Sequence, residues 1–246
     1  MRLLLLSTGG RPSRFFRHAR AELKEFLAGR HRIGFVTAAN LNDEIAYFAR
    51  AKAFFRTIGI VAEHIRWQTP PKSLDHLDAI VVGGGNTYAL LDRLRRSGLL
   101  REIRRVVRAG TPYIGASAGT NIAGPNILTT NDWNVVGNRR FDALGFVPWN
   151  INVHYPAAPR AEHGRAKFSE TRDQRIAEFH NAKHPVTGLP LHRNPVVGIE
   201  EAACILVEGS QATVRGTGRV RWFVAGMKPQ WVRPDQQLPL WGARTK

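Results

Sequence analysis

The sequence predicts an α/β protein built on a largely parallel sheet covered on both faces. Three observations carry this. The first half alternates short Val-, Ile- and Leu-rich runs with amphipathic segments of helical length, the pattern of strands buried on both sides. Glycines punctuate it where helices should stop, at Gly29 and Gly59. The third is bulk: 246 residues at 43% hydrophobic content suffice for one large domain. No internal repeat, low-complexity segment or linker divides the chain, so residues 1–246 are expected to form a single domain.

Taken in order, "RLLLLS" reads as a buried first strand, Leu3 to Ser7, and not as a signal peptide, because four leucines are too few for an h-region. "RFFRHARAELKEFLAG" has helical periodicity and ends at Gly29. "RIGFVTAA" is the next strand, and "NDEIAYFARAKAFFRTIG" a helix capped by Asn42 or Asp43. Strands follow at "IVAEHIRW" and "LDAIVVGGGN", then a helix from about Tyr88 to Arg96, an Arg-rich helix, and the strand "PYIGAS". Beyond Gly124 loops dominate, before short strands at "PVVGIEE", "ACILVEG", "ATVRG" and "RVRWFVAG". These read as a hairpin-linked antiparallel region near the C-terminus, with "MKPQWVRPDQQLPLWGARTK" as a surface strap.

Composition excludes several function classes. A single cysteine rules out an intramolecular disulfide and multi-Cys zinc sites, and Cys204, in the apolar run "ACILV", is expected to be buried and inert. No segment has the length of a membrane span, so the expectation is a soluble, cytoplasmic chain without a membrane partner. The formal charge is +17, from 7 Lys and 29 Arg against 19 acidic residues. Arg101, Arg104, Arg105 and Arg108 could form a phosphate stripe on one helix face. No nucleic-acid-binding motif accompanies them, so the expectation is solvated arginines with weak, nonspecific polyanion binding and no specific nucleic acid.

The chemistry concentrates at strand ends, where parallel α/β sheets bind ligands. "GASAG", residues 115–119, has the G-x-S-x-G form of a nucleophile elbow, with Ser117 on a tight strand-to-helix turn. Gly83, Gly84 and Gly85 end another strand, and Asn86-Thr87 can cap the next helix. The block meets neither nucleotide-binding pattern, and beside a nucleophile its amides suit an oxyanion. Among nine histidines, His154 in "NINVHYP" follows an apolar run and precedes Pro156, which makes it the candidate base. His180 and His184 have i,i+4 spacing without a third ligand, so no metal site is expected. Asp132 and Glu201 both follow loop or strand-end signals and are the candidate acids, with Glu200 expected on the opposite face from Glu201.

"VVGGGNTYALL", "YIGASAGTNIAGPNILTTNDW", "FDALGF", "NINVHY" and "SETRDQRI" occur in the order and spacing of the peptidase E family. By this the chain resembles the serine α-aspartyl dipeptidases over nearly its whole length. The resemblance implies a three-layer α/β/α fold related to class-I glutamine amidotransferases. It also implies a cofactor-independent exopeptidase acting on short peptides with an N-terminal Asp. Carried over, Ser117 is the nucleophile, His154 the base, Gly85 and Ala118 the backbone oxyanion donors, and Arg172 the reader of the aspartyl carboxylate. Asn86 is a candidate substrate contact, and Glu201 is favoured over Asp132 as the third member of a triad. Ala116 and Thr120 stand where relatives carry Trp and Ala, which is expected to enlarge the pocket, and the loop between His154 and Arg172 looks longer. Two alternatives remain open: a β-aspartyl or cyanophycin-type hydrolase, or a silent binder of acidic peptides or nucleic acid. The loops and tail could supply a homodimer interface.

Overall fold

The computed structural model describes residues 1–10, 15–156 and 170–239. A seven-stranded sheet has the order β3-β2-β4-β5-β1-β8-β9. Its strands are β1 (Arg2–Leu6), β2 (Arg32–Val36), β3 (Val61–Ile65), β4 (Ala79–Val82), β5 (Tyr113–Ala116), β8 (Ala203–Glu208) and β9 (Gln211–Gly216). The first five are parallel, whereas β8 runs antiparallel to β1, and β9 to β8. A second sheet, ordered β11-β10-β7-β6, contains β6 (Asn150–Tyr155), β7 (Val196–Glu200), β10 (Val220–Phe223) and β11 (Gln230–Val232).

Alternate residues of β1 show why both faces must be covered. Leu3 and Leu5 join one apolar cluster with α3 (Thr87–Arg96) and α4 (Leu99–Arg108). Leu4 and Leu6 join another with α1 (Arg20–Phe26) and α2 (Glu44–Arg56). A strand presents successive side chains to opposite faces, so an unbroken leucine run requires helices on each side. The second sheet presents Ile151, Val153, Val197 and Ile199 to the first cluster. On its other face Tyr155, Val196 and Phe223 pack against Ile176 and Phe179 of α6 (Arg172–Asn181).

Caps follow the sequence reading: Asp43 accepts from Ala46 N–H at the start of α2, and Asn86 accepts from Ala89 N–H at the start of α3. Four details differ. The first strand stops at Leu6, leaving Ser7 in the bend after it. Helix α1 begins at Arg20 after a 3-10 turn, Arg17–Ala19, because Phe16 takes a left-handed backbone (φ 52°) that sends its ring into the core against Phe54 and Phe55. The C-terminal strands do not form one antiparallel unit. β8 and β9 extend the large sheet, while β7 pairs in parallel with β6. Of the C-terminal strap, Gln230–Val232 becomes a strand, and residues 240–246 lie outside the described residues.

The arginine stripe is also partly absorbed. Arg104 donates to the carbonyls of Leu144 and Ala143, and Arg105 pairs with Asp75 and Glu102. Those two side chains fasten the loop packing around α4. Cys204 is buried, which pushes its thiol up to about 12. No helix among the described residues is long and apolar enough to cross a membrane.

Candidate active site

Ser117 lies between β5 and the four-residue helix α5 (Ala118–Asn121), with φ 53° and ψ −111°. Few residues with a side chain hold such a backbone, and its cost is of order 1–3 kcal/mol. The elbow can form because its flanking residues have no Cβ. At Gly115 a Cβ would stand 2.7 Å from the Gly119 carbonyl oxygen, and at Gly119 one would stand 2.1 Å from that of Val82. Backbone bonds hold the turn, with Ser117 N–H donating to Leu6 O at 3.1 Å.

The serine Oγ is 2.9 Å from His154 Nε2, and His154 Nδ1 is 3.2 Å from Glu201 Oε1. His154 itself has a left-handed backbone, φ 55°, at the irregularity where β6 shifts register against β7 between Asn152 and Tyr155. Such a bulge re-aims a side chain that regular pleating would send elsewhere. Ser7 stabilises the displaced strand: its hydroxyl accepts from His154 N–H at 2.9 Å and donates to Ile199 O at 2.8 Å. The Glu201 side chain is 71% exposed, so water screens its pairing with the imidazole.

The glycine block faces Ser117 directly, since a Cβ on Gly84 would lie 3.0 Å from Ser117 Cβ. Two of its three amides are bound, Gly83 N–H to Val36 O and Gly84 N–H to the Tyr47 hydroxyl, and the next, Asn86 N–H, bonds Ala39 O. The Gly85 N–H has no acceptor among the described residues. Gly85 adopts φ 140°, and a Cβ there would fall 2.2 Å from Ala39 O. Ala118 N–H, at the first position of α5, belongs to the turn whose donors no helix can satisfy. Among the described residues, the Gly85 and Ala118 amides thus have no acceptor, and two such donors near the serine suit an anionic oxygen.

The other candidates are placed differently. Asp132 Oδ2 accepts from Thr87 N–H at 2.7 Å and from Thr130 Oγ1 at 3.2 Å, so it caps α3 and makes no bond to His154. Asn86 spends its side chain on the same helix start and on Trp133 O, at 2.9 Å. Arg172 opens α6, behind the capping box of Thr171 and Gln174. Glu200 is buried and pairs with Arg219, whereas Glu201, in the turn after β7, is exposed and meets His154. Ala116 is fully enclosed in the apolar cluster that holds Phe15, Phe16 and Tyr47. Thr120 donates to Leu6 O at 2.6 Å, inside the elbow's own support. The longer loop before Arg172 falls largely within residues 157–169, outside those described.

Sequence reading missed Ser7 and Tyr47, which hold His154 and the glycine block. Ser7 carried one usable signal, its place at the carboxyl end of a central strand. His18 was also passed over. Burial holds its pKa below the usual value, and Glu201 lies within electrostatic reach, opposing that shift. His180 Nε2 donates to Asn194 O at 3.0 Å instead of standing free on its helix. Among the described residues no group of three His, Cys, Asp or Glu side chains could hold a metal ion.

The model of peptidase family S51 matches residues 3–215. The chain is 38% identical to peptidase E of Streptomyces coelicolor over 232 residues, covering 94% of this chain and 90% of that one. It is 35% identical to peptidase E of Escherichia coli, covering 92% and 95%. In fold it is similar to a peptidase from an acI-B1 actinobacterium, at a TM-score of 0.65, 13% identity and 96% of each chain. It is likewise similar to a Listeria monocytogenes protein named for peptidase E, at a TM-score of 0.63, 24% identity, and 87% and 98% coverage. The parallel sheet covered on both faces, the elbow and the extent of these matches agree: the chain belongs to peptidase family S51 and is a peptidase.

Proposed function

We propose that the chain is a serine exopeptidase that releases N-terminal aspartate from short peptides, dipeptides above all. The observation that carries this reading is the continuous line from Ser117 Oγ to His154 Nε2, at 2.9 Å, and from His154 Nδ1 to Glu201, at 3.2 Å. Ser117 attacks the carbonyl carbon of the aspartyl residue while His154 Nε2 takes its proton, and Glu201 keeps the imidazole in the tautomer with hydrogen on Nδ1. The oxygen that becomes negative is held by the Gly85 and Ala118 amides. His154 then gives its proton to the leaving amine, and water releases the acyl group by the reverse sequence. Arg172 takes the aspartyl carboxylate as a two-pronged partner, a role its planar fork suits better than a lysine.

The test is a panel of Asp-X, Asn-X, Glu-X and β-Asp-X peptides of two to four residues. Asp-X dipeptides are expected to be the best substrates, and Ser117→Ala is expected to lose several powers of ten in rate without losing its fold. A clear preference for β-Asp-X would instead make the chain a β-aspartyl hydrolase. Substantial turnover by Ser117→Ala would refute the serine mechanism.

A further inference from the structure

Three residues of this proposed site each have a chain neighbour fastened into one polar and aromatic cluster in the second sheet. Tyr155 follows His154, Asp173 follows Arg172, and Glu200 precedes Glu201. The Tyr155 hydroxyl donates to Asp173 Oδ1, and Arg221 donates to Asp173 Oδ2 at 3.3 Å. Glu200 accepts from the Arg219 backbone N–H at 2.6 Å and from its guanidinium at 2.9 Å. Both guanidiniums lie over the Trp231 ring, at 4.0 Å for Arg219 and 4.8 Å for Arg221. These two arginines are two residues apart at the start of β10, so they share a face.

The Tyr155 ring is held as firmly as its hydroxyl. It packs against Phe223 and Trp231, and it occupies the space a Cβ would need at Gly198, where the nearest ring carbon would be 2.5 Å away. Burial, followed by the bond to Asp173 and the charge of Asp173, pushes the phenol well above its ordinary pKa, so it remains a donor. Arg221 and Arg172 oppose that shift, which puts the Arg172 guanidinium within electrostatic reach of the ring.

We propose that Tyr155, Asp173 and Arg221 form a positioning device that sets the separation between His154 and Arg172, and so selects the length of the acidic side chain accepted. The inference rests on the reading that His154 serves Ser117 and that Arg172 takes the substrate's carboxylate. His154 is already fixed, by Ser117 on its ring and by Ser7 on its backbone. The attacked carbonyl is therefore fixed as well. An aspartyl and a glutamyl carboxylate differ by one methylene in their distance from that carbonyl. A long arginine on a loosely held helix would follow either one. Pinned through Asp173 to the residue after His154, the start of α6 cannot slide along β6, and the shorter acid is favoured.

The experiment compares kcat and KM on Asp-Ala and Glu-Ala for the full-length chain and its variants. Tyr155→Phe keeps the ring in place and removes only the donor. It is expected to raise KM for Asp-Ala about 5- to 10-fold, the scale of one lost hydrogen bond, and to narrow the Asp-over-Glu preference by a similar factor with kcat little changed. Asp173→Ala should do more, and Arg221→Lys less than Arg221→Ala, with melting temperatures showing that all four are folded. An unchanged Asp-over-Glu ratio in Tyr155→Phe and Asp173→Ala overturns the positioning role, as does an equal loss on both substrates. Arg172→Met separates the two ideas. If it abolishes the Asp preference while Tyr155→Phe leaves the ratio intact, only the positioning role falls. If it leaves the preference intact, the reading of Arg172 falls, and this inference with it.

Discussion

At the residue scale, the unusual backbones coincide with the chemistry: Ser117 and His154 are two of four non-glycine residues with positive φ among those described. Each is held by bonds from Leu6 or Ser7, at the end of the central strand β1. Two carboxylates compete for the third place in the proposed triad, and their partners separate them. Glu201 reaches the imidazole, whereas Asp132 is spent on Thr87 N–H. Removing only the orienting acid leaves the Ser–His pair but favours the wrong tautomer. Glu201→Gln is therefore expected to lose much of kcat without abolishing it, while Asp132→Asn leaves kcat nearly intact. Steady-state kinetics on Asp-Ala check this, and the reverse pattern would give the role to Asp132.

At the element scale, α3 is the helix on which the glycine block depends, because its first turn continues directly from Gly85. Two side chains satisfy that turn, Asn86 at Ala89 N–H and Asp132 at Thr87 N–H. Asn86 also ties the Trp133 carbonyl, so the loop carrying Asp132 and the helix start hold each other. Losing such a cap costs about 0.5–2 kcal/mol. Asn86→Ala is expected to lower stability to urea by about that amount, with a smaller effect on kcat/KM. Unchanged stability with a large loss of activity would instead make Asn86 a substrate contact.

On the scale of the whole molecule, burial of imidazoles makes stability depend on pH. His18, His64 and His192 all have pKa values lowered from 6.5, with burial the largest cause in each. Below pH about 6.5 the unfolded chain binds protons that the folded chain refuses, so stability falls as pH drops from there toward the folded values. The lowered carboxylates, such as Asp75 and Asp78, titrate below their ordinary 3.8 and do not contribute in this window. Thermal melts are expected to show a lower Tm at pH 5.5 than at 7.5. His64→Gln, which removes one of these imidazoles from its place against Thr37 and Phe48, should flatten part of that slope. A Tm independent of pH across the window would contradict it.

Much of this protein was legible in the chain itself. The unbroken leucines of β1, the glycines of the elbow and the caps Asp43 and Asn86 encode local requirements, and such requirements can be read one segment at a time. The same holds for Ser117 and His154 as candidates, because each sits at a strand end marked by its neighbours. What the chain could not show is which distant segments meet. "PVVGI" and "ACILV" are similar apolar runs separated by three residues, yet β7 joins the second sheet and β8 the first. Ser7 became the support of His154, and Tyr47 the partner of Gly84, only through contacts 147 and 37 residues apart in sequence. The same is true of the choice between Asp132 and Glu201. Both are acids in suitable local settings, and only packing puts one beside the imidazole and the other at a helix start. Local pattern is set by backbone sterics and burial periodicity, whereas pairing across the fold is decided by how the two sheets and their helices fill space together.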